Sequence, residues 1–261
     1  MSVAGATQDH LATLGISEGR AKEAVFDSFM TGAVSIAGKP AAFIALTPAA
    51  RATLVGFALS LARTFVESDD FKRRYADHRE ANGPDPLPEE QTADAVLAKQ
   101  RAGFDSQVAE MRKMFDQITP EQRATLEAGW KDMGDQFTAM EKGDRRRELD
   151  GMLKAQRAEQ VRQRDDAMRA FEKTYPIDHR TLVAMRLGRF LAATHDVAYD
   201  AQLIDKNTKK VFANDAFEGK PAEWKMAFRA GKPATDTARA FAQKWLAELQ
   251  SQGVKGVERI K

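Results

Sequence analysis

The feature that most constrains this chain is a pair of apolar seams on either side of one proline. Leu97, Phe104, Val108, Met111, Phe115 and Ile118 follow steps of seven, four, three, four and three residues. Leu126, Trp130, Met133, Phe137 and Met140 follow steps of four, three, four and three. A mean period near 3.5 belongs to helices that pack lengthwise. Between the seams, Thr119-Pro120-Glu121-Gln122 has the form of a capping box, with the Thr119 hydroxyl aimed at the N3 amide and Gln122 reaching back. The spacing therefore predicts two adjacent helices, Leu97 to Gln117 and Pro120 to Lys142, joined as a helical hairpin or by a sharp bend.

The flanking sequence also reads as helix. A segment opening at Ser17 carries Val25, Phe26, Phe29, Met30 and Val34 toward Gly38-Lys39-Pro40. A second opens at Thr47-Pro48, a cap residue followed by proline where its missing N–H costs nothing. Its residues Leu54, Phe57, Ala58, Leu61 and Phe65 recur at helical spacing, and Val55, Leu59 and Val66 widen the stripe, as in a helix central to a core. Residues Asp144 to Lys173 predict a long, polar, exposed helix, with Arg146, Asp150 and Lys154 in an i,i+4 ladder and Asp165 paired likewise with Arg169. Amphipathic helices follow from about Arg180 to His195, Pro221 to Ala230 and Pro233 to Gln250. The one strand-like stretch, 198–213, predicts a small hairpin turning at Asp205-Lys206-Asn207-Thr208.

The expected architecture is mainly all-α, with long central helices and one small β-hairpin. It comprises an N-terminal helical core (1–80), a loop or linker (81–95), central helices (96–175) and a C-terminal helical subdomain with the hairpin (176–261), as separate bodies or as one. The linker contains Asn82 to Glu90, NGPDPLPEE, whose three prolines and glycine mark the clearest composition shift.

Charge narrows the function classes. Forty basic and 38 acidic residues leave a net charge of +2, with the signs interspersed, so no nucleic-acid partner is expected. With no cysteine, the chain has no disulfide, thiol nucleophile or cysteine-ligated metal. The most apolar run, Ala52 to Ala62, falls short of the roughly 20 residues a bilayer span needs, and no membrane span is expected. The start MSVAGATQDH lacks the basic and apolar parts of a signal peptide, although Ala4-Gly5-Ala6 has the small-x-small form of a cleavage site. The compartment stays undetermined: cytoplasmic as written, periplasmic if a signal peptide was removed. No metal site and no cofactor is expected, and no nucleophile elbow, phosphate loop or dinucleotide fingerprint occurs.

Three groups of residues remain as candidates. Met111, Phe115, Met133, Phe137 and Met140 on the central helices offer an adaptable surface for a protein partner or for self-association, since methionine repacks readily; the ordinary reading is interhelical core. Trp224 and Arg229, near Glu223, Lys225, Phe228 and Lys232, could form an aromatic floor with basic rims, against the ordinary reading of inward aromatics and outward cations. His195, beside Asp196 and Asp200, is the histidine best placed for an acid–base pair, against that of a helix-terminal histidine on its own carbonyls. The expected function is thus a non-enzymatic binding or scaffold protein acting through the central helices, in its narrower form chaperone-like. The alternative is a small-molecule binder or enzyme with a C-terminal pocket.

Ile118-Thr119-Pro120-Glu121-Gln122 resembles the LTxxQ motif of small helical periplasmic proteins of the Spy/CpxP type, and Leu46-Thr47-Pro48-Ala49-Ala50 echoes it. The resemblance implies a chaperone or stress sensor. It covers five residues per copy, departs at Ile118 and at Ala50, and has the form of any well-capped helix start, so membership does not follow from it.

Overall fold

The computed structural model describes residues 15–33, 40–206 and 209–254. The described residues are predominantly helical: α1 (Glu18–Thr31), α2 (Pro40–Ala45), α3 (Pro48–Glu67), α4 (Asp69–Asn82), α5 (Ala93–Arg112), α6 (Pro120–Lys142), α7 (Asp144–Thr174), α8 (His179–Ala193), α9 (Asp215–Glu218), α10 (Ala222–Ala230) and α11 (Lys232–Ser251). Among them lies one antiparallel pair, β1 (Leu203–Lys206) and β2 (Lys209–Phe212), in register Leu203 to Phe212. The fold is mainly all-α with a small hairpin, as the periodicities imply. Its paired strands are shorter than the 198–213 stretch, and Asn207-Thr208 and Val34 lie outside the described residues.

The chain divides into two compact units. Residues 1–83 and 171–261 form the first, and residues 84–170 form the second. The N- and C-terminal segments thus share one unit, with the central segment inserted between them.

In the first unit, α3 packs along α11, which also packs on α8. Among the described residues, α3 is the helix long and apolar enough to cross a membrane by length and composition. Here Leu54, Phe65 and Val66 are buried, and Phe65 and Val66 share one core cluster with Ala242, Trp245, Leu246 and Leu249 of α11. Phe71, at the start of α4, is fully buried and central. Phe26, Phe29, Phe65, Tyr75 and His179 all place rings 5.4–6.4 Å from it. Ser68 makes this possible by capping α4, accepting from the Phe71 amide at 3.3 Å. That cap turns the chain straight from α3 into α4, an element the apolar pattern alone does not reveal.

Helix C-termini bring carbonyls without intrahelical partners into this unit. Cations and phenols from other elements satisfy them. Arg186 donates to Phe29 O at 2.9 Å and to Met30 O at 3.1 Å, and Tyr175 donates to Met30 O at 3.3 Å. Arg239 reaches Leu191 O at 2.7 Å and Arg79 reaches Tyr175 O at 3.0 Å. Arg51 bonds the carbonyls of Ile44 and Leu46, within and just beyond the end of α2, and those of Arg229 and Ala230 at the end of α10. Helix α1 ends at Thr31, short of the Gly38 expected from its apolar spacing. Gly32 there has φ 71°, and a Cβ on it would lie 2.6 Å from Arg186 Nη1. A positive φ and a close guanidinium both demand glycine.

Burial pushes the Arg186 guanidinium pKa down, and it pushes the Tyr75 phenol up to about 12. Tyr75 keeps its proton and donates to Pro176 O at 2.6 Å. Two histidines are held below the ordinary imidazole range by burial: His78, whose ring lies 5.0 Å from that of Tyr175, and His179, where burial outweighs the pull of Asp178.

Two outcomes are expected. Phe71→Ala should cost about 3–5 kcal/mol in chemical denaturation, as a large aromatic removed from a packed core does. Stability should also depend on pH. Each histidine binds its proton more weakly folded than unfolded, so its contribution is complete above the unfolded value near 6.5 and is lost as pH falls below it. The melting temperature should therefore drop between pH 7 and 5, and His78→Phe should flatten that drop.

Candidate functional site

The second unit is an antiparallel two-limb structure. Its outgoing limb is the 84–92 segment with α5, and its returning limb is α6 with α7. As residue numbers rise on one limb they fall on the other. Phe115 stacks on Trp130 at 5.5 Å and Phe104 meets Phe137 at 5.4 Å. Arg146 bonds both oxygens of Asp94, Arg157 donates to Pro88 O, and Arg164 to Asp85 O. The segment after Thr119 therefore folds back as a hairpin. The capping box is complete: Thr119 Oγ1 accepts from the Gln122 amide at 3.3 Å, and Gln122 Oε1 accepts from the Thr119 amide at 3.0 Å. The first helix stops at Arg112, five residues before the expected end. A 3₁₀ turn, Phe115–Gln117, takes over and swings the Phe115 ring onto Trp130. Arg123 closes this end, its guanidinium 5.0 Å from the Phe115 ring centroid and donating to Phe115 O at 2.9 Å.

Two limbs cannot cover both seams. Ala93, Leu97, Val108 and Trp130 are the buried residues of the unit, and Phe104, Phe115, Ile118, Phe137 and Met140 are half-buried. The remaining seam residues stay in water: Met111 is 37% exposed, Leu126 40% and Met133 43%, beside Met114 at 53%. Helix α7 has no buried residue and carries ion pairs along its surface. Lys154 pairs with Asp150 as the sequence implies, but Arg169 takes Asp166, three residues away, in place of Asp165, and Arg146 crosses to Asp94.

Helical geometry assigns these positions to faces. On α5 the line toward α6 runs through Ala93, Leu97, Phe104 and Val108; on α6 the facing line runs through Arg123, Trp130 and Phe137. Turned from those lines toward one side of the hairpin lie Val96, Gln100, Gly103 and Gln107 of α5, with Met111 at the edge nearest the seam. On α6 the same side holds Leu126, Gly129, Met133, Gln136 and Met140. None of the ten carries a charge. Lys99 and Glu110 border this face on one helix and Asp132 on the other. A Cβ on Gly103 or Gly129 would meet nothing within 4 Å, so the face is open at both. The opposite side carries Arg101, Asp105, Glu127 and Lys131, with Arg101 donating across to Gly134 O at 3.3 Å. A shallow depression lined by Ser106, Gln107, Glu110 and Met111 adjoins the uncharged face.

The other candidates do not converge. Trp224 is fully buried among Phe212, Phe217 and Phe228 and donates its indole N–H to Asp196 O at 3.2 Å, so it is core and not an open floor. Glu223 is buried against Arg189 at 3.0 Å, Lys225 pairs with Glu218 and Lys232 with Asp236. Arg229 is exposed. The His195 side chain is 69% exposed, and its Nδ1 lies 2.8 Å from Ala192 O, the helix-terminal arrangement that local sequence favours. The structure therefore gives His195 and Arg229 no common cleft. Among the described residues, no group of three or more histidine and acidic side chains could hold a metal ion.

No protein-family model, no curated protein and no solved structure matches this chain.

The cap should matter locally. Thr119→Ala is expected to cost about 1 kcal/mol and to speed amide exchange in the first turn of α6, read by hydrogen–deuterium exchange, while exchange near Phe137 stays unchanged.

Proposed function

We propose that this protein is a non-enzymatic helical binding protein, and that it engages polypeptide partners through the uncharged face of the α5–α6 hairpin. The observation that carries this reading is the half-covered seam. Met111, Leu126 and Met133 have the spacing of packed core residues and yet stand in water. Exposed large apolar side chains gathered on one face, with charges at its borders, are the make-up of a protein interaction surface. Their chemistry suits segments of varied sequence, because unbranched methionine side chains re-pack at little cost. The glycines at 103 and 129 leave room for a helix backbone to approach closely. A chaperone-like role, holding apolar segments of other chains, is the narrower form of this reading.

The test is binding of a fluorescein-labelled, uncharged-faced amphipathic helical peptide, followed by anisotropy. The native chain should bind it, and Met111→Glu with Met133→Glu should weaken binding at least tenfold. Both side chains are exposed, so the helical circular dichroism should not change. Binding that is absent, or equal in the double variant, would remove the proposal.

A further inference from the structure

We infer that the uncharged hairpin face is covered by the same face of a second copy of this chain, so that two α5–α6 hairpins form a four-helix bundle across a two-fold axis. This deepens the reading above and rests on its assignment of the face.

Three observations select the occupant. The first is electrostatic. A face without a charged residue neither steers nor complements a charged partner, but it meets itself with no like charges opposed. A second copy brings the same neutral strip, while the border charges, Lys99, Glu110 and Asp132, stay at the wet edge. The second is area. Helix α5 has 20 residues and α6 has 23. Two such helices lying side by side present a footprint of roughly 30 by 18 Å, or about 1,100 Å² summed over two copies. A specific interface needs about 1,000 Å². The third is coverage. In each hairpin the inner flank of the seam is buried and the outer flank is bare, and a facing pair of helices closes that flank as it does in a bundle. Leu126, Met133 and Met140, spaced by sevens, would then become core, with Gly103 and Gly129 setting a close approach. Isologous pairing of one face with itself is also the commonest way that identical chains associate.

Sedimentation equilibrium of the full chain, from a few micromolar to several hundred micromolar, tests this. The native protein should pass from monomer to dimer mass over that range. Gly129→Glu with Gln136→Glu should move the midpoint at least tenfold higher in concentration. The Gly129 site has open space for a side chain, so circular dichroism should confirm an intact fold. Lys131→Glu, on the opposite side, should leave the midpoint in place. A strict monomer throughout, or a midpoint that responds equally to both sets of variants, would overturn the inference. Peptide binding by a strictly monomeric native chain would overturn self-association while leaving the binding surface standing. A dimer that ignores the peptide would support self-association and remove polypeptide capture.

Discussion

Two helices laid side by side shield only the flank that each turns to the other, and a seam wider than that flank leaves apolar residues in water. Much of the second unit follows from this limit. The facing flanks hold Leu97, Val108 and Trp130 buried, with Phe104 against Phe137 and Phe115 flat on Trp130. The antiparallel register set by those rings decides which residues are left over. What remains is a strip of methionine, leucine, glutamine and glycine on one side. Charged residues take the other side, Arg101 and Asp105 among them as an ion pair, and ion pairs line the long α7. The capped turn at Thr119 fixes the reversal, and Arg123 seals its end by spanning Phe115 and the first turns of α6. Burying so little, the hairpin has little core of its own. A surface held ready for a further helix is consistent with that.

The first unit meets a different physical demand. Several of its short helices end inside it, and each end brings carbonyls that must find donors. Arg186, Arg51, Arg239 and Arg79 meet that need from distant parts of the chain, and Tyr175 and Tyr75 add phenolic donors. A guanidinium serves here because its donors form a planar fork that can reach two carbonyls at once. These bonds join α1 to α8, and α3 to α10, across long stretches of sequence. With the ring cluster around Phe71, they explain how segments from before and after residues 84–170 assemble as one unit.

Legibility in the sequence tracks how local the physics is. The box at Thr119-Pro120-Glu121-Gln122, the caps at Ser17 and Thr47 and the span of α6 are set by neighbours within four residues, and they read directly. The stop at Arg112 does not, because the Phe115 ring leaves the helix to stack on Trp130, fifteen residues on. Helix α4 escaped because its opening, Ser68-Asp69-Asp70, is short and its apolar residues, Phe71 and Tyr75, are few. The candidate residues split the same way. Met111 and Met133 sit on an open face, and Phe115 and Phe137 form its half-buried floor. Trp224 belongs to an aromatic core assembled from β2, α9 and α10. Nothing local distinguishes an inward tryptophan from a binding floor. The uncharged strip could have been found by marking every residue without charge on both helices, since Gln and Gly, and not apolar residues alone, define it.

The central claim is that one face of this hairpin makes the contacts and the opposite face does not. Because the chain has no cysteine, single thiols can be placed at Gln107 and Gln136 on the uncharged face, and at Asp105 and Lys131 on the charged one. Each is labelled with an environment-sensitive fluorophore and followed as protein concentration, or added apolar peptide, is raised. The account predicts blue-shifted emission at Gln107 and Gln136 with steady emission at Asp105 and Lys131. Equal shifts on both faces, or none on the uncharged one, would contradict it.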